Sequence, residues 1–212
     1  MSLFHTADLA RPSCGAASAQ TIAHSVAANR RPDLRAAILD GTFQVLTCRA
    51  CGISFRLAPP LIYMDVAQGS WILTCPGTDR PLWDALEAEA LDIFNDSFGT
   101  APPATQALGA RFVVRMTFGW SGLRETLLCQ DYGIDGTVLE LMKLALLRTT
   151  DAAYLQETAA LRLVGRKGDG TLLLAGLDDE TEGADEALEV PAALLNGIAA
   201  DTAVEPEPTV PD

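Results

Sequence analysis

Phe43 to Phe55 reads F-Q-V-L-T-C-R-A-C-G-I-S-F, two apolar segments meeting at a C-x-x-C-G step. A two-residue gap followed at once by glycine suits a tight knuckle that aims the sulfurs of Cys48 and Cys51, and the turn amides, at one metal ion. This is half of a zinc-ribbon site. The matching half lies upstream at Arg11-Pro12-Ser13-Cys14-Gly15, where arginine stands in place of the leading cysteine. The metal candidates are therefore Cys14, Cys48 and Cys51, three thiolates for an ion that takes four ligands in structural sites. Arg11 cannot complete the set, because its guanidinium stays protonated and offers no lone pair. His5 or Asp8 from upstream, or Cys75 from a neighbouring hairpin, are candidates for the fourth place. Set against zinc is a relic knuckle, held by turn hydrogen bonds and its flanking strands without metal, with the charge of Arg11 replacing part of the ion's role.

The same pair admits a redox reading, in which Cys48-Arg49-Ala50-Cys51 cycles between dithiol and disulfide and Arg49 favours the thiolate. Redox pairs of the thioredoxin type open a helix, whereas Gly52 and the alternation Ile53, Phe55, Leu57 point to a strand. Other chemistry has weaker support. Cys75 and Cys129 read as core or loop thiols. Gly119-Trp120-Ser121-Gly122 lacks the final glycine of a nucleophile elbow, and Ser121 reads as a helix cap. Gly165 to Gly170 is a glycine-rich turn without the Lys-Ser/Thr ending of a phosphate loop.

Working outward, Ile22, His24 and Val26 alternate in a strand over 18–28. Pro32-Asp33 opens a short helix whose apolar face is Leu34 and Ile38, ending at Gly41. Residues 61–66 and 70–75 form a hairpin around Gly69. Trp83, Leu86, Ala90, Leu91 and Phe94 recur at helical spacing over 81–98. Residues 99–109 read as a linker, and 111–118 as a strand opening a second half. Two helices follow, the second capped by Asp135, and then a hairpin over 161–174. The helix 135–148 is apolar on nearly all sides, which implies burial between layers or a homo-oligomer interface. The expected fold class is α+β: a zinc-ribbon-like N-terminal β-sheet with a short helix over 1–100, a strand-and-helix part over 101–177, and an acidic flexible tail over 178–212 with a short helix over 190–198.

The charge is uneven. Residues 1–150 carry 12 basic against 14 acidic side chains, and residues 151–212 carry 3 against 14. A phosphate backbone would be repelled at the C-terminal part and meets no basic stripe elsewhere, so no nucleic-acid partner is expected. With 49% apolar residues, the chain suits an ordinary globular protein, and no apolar run is long enough for a membrane span. Five cysteines and a start without signal-peptide features point to the cytoplasm.

The order of these segments resembles the CpXC family, bacterial proteins named for two Cys-Pro-x-Cys motifs. The resemblance runs through R-P-S-C-G at 11–15, R-P-D-L-R-A-A-I-L-D-G-T-F at 31–43, T-C-R-A-C-G at 47–52 and P-L-I-Y-M-D at 60–65. It continues through L-R-E-T-L-L-C-Q-D-Y-G-I-D-G-T-V-L-E-L-M-K-L at 123–144. Arg11 replaces the first cysteine of the first motif, and Arg49 the proline of the second. The resemblance carries metal-ligand roles onto Cys14, Cys48 and Cys51. It implies a fold and zinc but no reaction. The reading that results is a non-enzymatic interaction module with an unidentified protein partner. The alternative is a thiol- or metal-dependent enzyme working through Cys14, Cys48 and Cys51.

Overall fold

The computed structural model describes residues 2–10, 14–149, 160–177 and 187–204. The chain divides into two compact units, residues 1–123 and 124–212. Both mix strands with helices, and the fold class is α+β.

The first unit is built on a five-stranded sheet. Strands β1 (Leu3–Ala10), β2 (Ala17–Ala27), β5 (Leu61–Asp65), β6 (Ser70–Cys75) and β7 (Val113–Phe118) lie side by side in that order. β1 and β2 are an antiparallel hairpin, β2 and β5 run parallel, β5 and β6 are antiparallel, and β6 and β7 run parallel. Parallel neighbours need a long crossover connection. The first crossover contains helix α1 (Pro32–Asp40) and a separate two-stranded hairpin, β3 (Val45–Thr47) with β4 (Ser54–Arg56). The second contains a 3₁₀ turn (Gly77–Leu82), α2 (Trp83–Phe98) and α3 (Pro103–Gly109). The stretch 99–109, expected as a linker, is thus mostly helix within a crossover. The strand expected to open a second half is instead the edge of the first sheet.

Period-two alternation decides which side chains of the sheet meet α2. Ile62 and Met64 of β5 pack with Trp71, Leu73 and Cys75 of β6 against Leu86, Ala90, Ile93, Phe94 and Phe98. Leu61 and Tyr63, of opposite parity, are fully buried on the other side, as is Ile72. α1 begins with Pro32 in its first turn and ends at Gly41, whose left-handed φ of 81° lets its amide reach back to the Ile38 carbonyl. Ile38 is its buried anchor.

The second unit contains α5 (Gly136–Thr149), β8 (Ala160–Arg166), β9 (Leu172–Leu177), β10 (Ala187–Val190) and α6 (Ala192–Val204); the division itself falls within α4 (Gly119–Tyr132). Asp135 caps α5 as expected, its Oδ1 accepting from the Thr137 amide at 2.7 Å and the Val138 amide at 3.3 Å. Ser121, expected as a cap, lies inside α4 and is buried. β8, β9 and β10 form an antiparallel sheet with β9 in the centre. Its core joins Leu163, Leu172, Leu174 and Val190 to Cys129, Leu139 and Met142. Where composition suggests a flexible tail, 187–204 form β10 and α6, and Leu195 and Ile198 pack on that core. The acidic stretch 178–186 and residues 205–212 lie outside the described residues. Among the described residues no helix is long and apolar enough to cross a membrane.

Candidate metal centre

Each knuckle sits at the tip of a β-hairpin. In the first, Ala10 pairs with Ala17, so the loop between β1 and β2 carries Cys14 and Gly15. In the second, Thr47 pairs with Ser54, leaving 48–53 as the loop between β3 and β4. The glycine after each terminal cysteine is left-handed, with φ of 67° at Gly15 and 71° at Gly52. A side chain there would be strained, and the turn that folds backbone amides around the sulfurs depends on this conformation. In the second knuckle the Ala50 amide donates to Cys48 Sγ at 3.3 Å, and the Gly52 amide to the Cys48 carbonyl at 2.9 Å. The Cys48 amide donates to the Ile53 carbonyl at 3.0 Å, closing the loop.

The two tips meet. Cys14 Sγ lies 3.8 Å from Cys48 Sγ, and the sulfurs of Cys14, Cys48 and Cys51 all lie within 4.8 Å of one another. Two thiolates at the tetrahedral angle on zinc, each about 2.3 Å from the ion, are separated by about 3.8 Å. The Cys14–Cys48 separation therefore fits two positions of a tetrahedral metal, and the three sulfurs lie close enough together that they could hold one. Cys48 holds the inner sulfur, its residue 7% exposed, whereas Cys14 and Cys51 face solvent. At Cys14 a hydrogen bond from the Ala16 amide lowers the thiol pKa. Partial desolvation, hydrogen bonding to Cys51 and Cys48, and the neighbouring Cys48 charge outweigh it, leaving the pKa raised. Clustered sulfurs with no cation resist ionising together, and a divalent ion removes that resistance.

Side chains that spacing alone did not single out hold the second hairpin beside the first. Gln44 is the one non-glycine residue with positive φ among the described residues, at 55°. Its side chain reaches the edge of β2 beyond the stretch paired with β5. There Oε1 accepts from the Ala23 amide at 3.1 Å and Nε2 donates to the Thr21 carbonyl at 3.4 Å. At the hairpin base, Arg56 Nε donates to the Phe43 carbonyl at 3.0 Å, and its guanidinium lies 5.1 Å from the Trp120 ring. Trp120 Nε1 donates to the Leu57 carbonyl at 2.9 Å, and its ring meets Phe43 edge-on at 5.3 Å. Left-handed Gln44 leaves no mark in the sequence. The alternation of Ile53, Phe55 and Leu57 does, and it pointed to the strand that follows the knuckle, β4.

Among the described residues the group consists of Cys14, Cys48 and Cys51, and the three other candidates for the fourth place stand outside it. His5 stacks on His24, with ring centroids 4.2 Å apart. Asp8 lies on β1 opposite Ala19. Cys75 is buried on β6 beneath α2, where burial, and then the charges of Asp79 and Glu89, push its thiol pKa up. Cys129 is a core thiol of the second unit. Arg11, expected at the missing ligand position, lies outside the described residues.

No curated protein and no solved structure matches the chain. Residues 10–143 match the CpXC protein family. That span takes in both knuckles and more than half of the 212 residues, and the chain belongs to the CpXC protein family.

Proposed function

We propose that the chain is a non-enzymatic cytoplasmic interaction protein whose two hairpin tips are tied together by zinc on Cys14, Cys48 and Cys51. The observation that carries the proposal is the 3.8 Å separation of Cys14 and Cys48 sulfurs with Cys51 beside them, the spacing of thiolates on one tetrahedral ion. Zinc supplies charge to neutralise the thiolates and a cross-link between loops far apart in the chain. The protein supplies the left-handed glycines, the amide donors to sulfur, and the Gln44 clamp that keeps the tips in reach.

An interaction role is supported by α5. Leu139 and Met142 enter the core of the second unit, while Leu141, Leu144 and Leu147 remain on the surface, Leu144 being 50% exposed. Spacing of three places them along one side of the helix, an apolar stripe suited to a protein partner or a second copy of the chain. Elemental analysis of protein purified without chelator, together with sedimentation of the wild type and Leu144→Glu, tests both parts. Stoichiometric zinc and a wild-type oligomer that the variant dissociates are expected. Metal-free protein would remove the zinc cross-link. Sedimentation as a monomer, with no partner retained on immobilised protein and lost with Leu144→Glu, would remove the interaction role.

A further inference from the structure

His5 and His24 are the chain's two histidines, nineteen positions apart, and the β1–β2 register brings them together on one side of the hairpin. Their rings stack with centroids 4.2 Å apart and planes inclined by 24°. Both side chains are exposed. The pairing explains the meeting. Phe4 aligns with Ala23 and Leu3 with Ser25, so His24 is the extra residue opposite the Leu3–Phe4 step. A bulge of this kind re-aims the side chain of the extra residue, here on β2 beside the sheet's edge strand β1. The Leu3 amide donates to Ser25 Oγ at 3.1 Å, fixing the chain beyond the bulge.

We propose that His5 and His24 form a second metal site, a cross-strand imidazole pair for a divalent first-row transition ion such as nickel(II). Imidazole nitrogen suits nickel, copper and zinc alike, and water completes the coordination sphere. Two nitrogens on adjacent positions of such an ion, at bonds of about 2.0–2.1 Å, lie about 3 Å apart. The stack puts the two imidazoles within reach of each other, and both exposed side chains rotate out of it so that their in-plane nitrogen lone pairs converge on the ion. The donor set is nitrogen only, distinct from the sulfur set of Cys14, Cys48 and Cys51, so neither site depends on the other. The hairpin loop closes the far end of β1 and β2, after Ala10. An ion bound at His5 and His24 therefore clips the open end and slows opening of an edge strand.

The test is a nickel(II) titration of the full-length protein, followed by amide NMR and by hydrogen exchange. Paramagnetic broadening should centre on His5 and His24, and exchange of the β1 amides should slow. Both His5→Gln and His24→Gln should weaken nickel binding at least about tenfold, since each removes one of two ligands. Broadening centred only on Gly15 and Gly52 would place the ion on the cysteines and overturn the proposal. A loss of less than tenfold in either variant would reduce the pair to a lone imidazole and overturn it equally. Because broadening is mapped on the wild type, the result does not rest on the variants folding.

Discussion

At the scale of single residues, two positions carry the most information. Arg11 stands where a four-cysteine pattern has its leading ligand, and Cys14, three residues on, does reach Cys48. Arg11→Cys should therefore tighten zinc binding, because a fourth thiolate closes the tetrahedron and a neighbouring cation is removed. A zinc competition titration showing equal affinities in parent and variant would mean that another group already completes the site. The second position is Glu125, buried in the second unit. Its Oε1 pairs with Lys143 Nζ at 2.6 Å and accepts from the Leu163 amide at 2.6 Å, and its Oε2 pairs with Arg162 at 3.0 Å. Glu125→Ala would leave two cations without their buried partner, at a cost of about 3–5 kcal/mol in denaturant unfolding. Lys143 keeps Glu140 at 2.7 Å, which places the loss toward the lower end. A loss under about 1 kcal/mol would show that the network is solvated after all.

At the scale of elements, the hairpins decide where chemistry is placed. The C-x-x-C-G step and the apolar residues around it were legible because a knuckle and its strands are local. β1 was not, since Leu3, Phe4, His5 and Thr6 are all exposed and an edge strand need not alternate apolar with polar. β10 was hidden for a different reason, and α6 was legible only as a short helix over 190–198 within a flexible tail. Acidic composition around 178–189 outweighed the apolar Val190, Leu195 and Ile198, whose burial only the β9 pairing reveals. Truncation after Leu177 should remove that pairing and lower the melting temperature by on the order of 5–10 °C. An unchanged melting curve would show that β10 and α6 add nothing to the unit's stability.

At the scale of the molecule, charge and topology answer different questions. The α+β class and the family were within reach of sequence because segment order and turn residues specify them. The five-stranded order was not, because β2–β5 and β6–β7 are parallel pairs joined by long crossovers. Nor was the set Glu125, Lys143 and Arg162, whose members are separated by nearly twenty residues at each step. With a formal charge of −13, the chain should not bind DNA or RNA at physiological salt. Micromolar affinity in a fluorescence titration under those conditions would show a basic surface that net charge conceals. The cross-link between hairpin tips is the claim on which the rest of the account stands. It is tested most directly by zinc competition titration of the wild type beside Cys48→Ser, which removes the inner sulfur. The account predicts stoichiometric zinc in the wild type and an affinity lower by at least about a hundredfold in the variant. Equal affinities, or no zinc bound by the wild type, would contradict it.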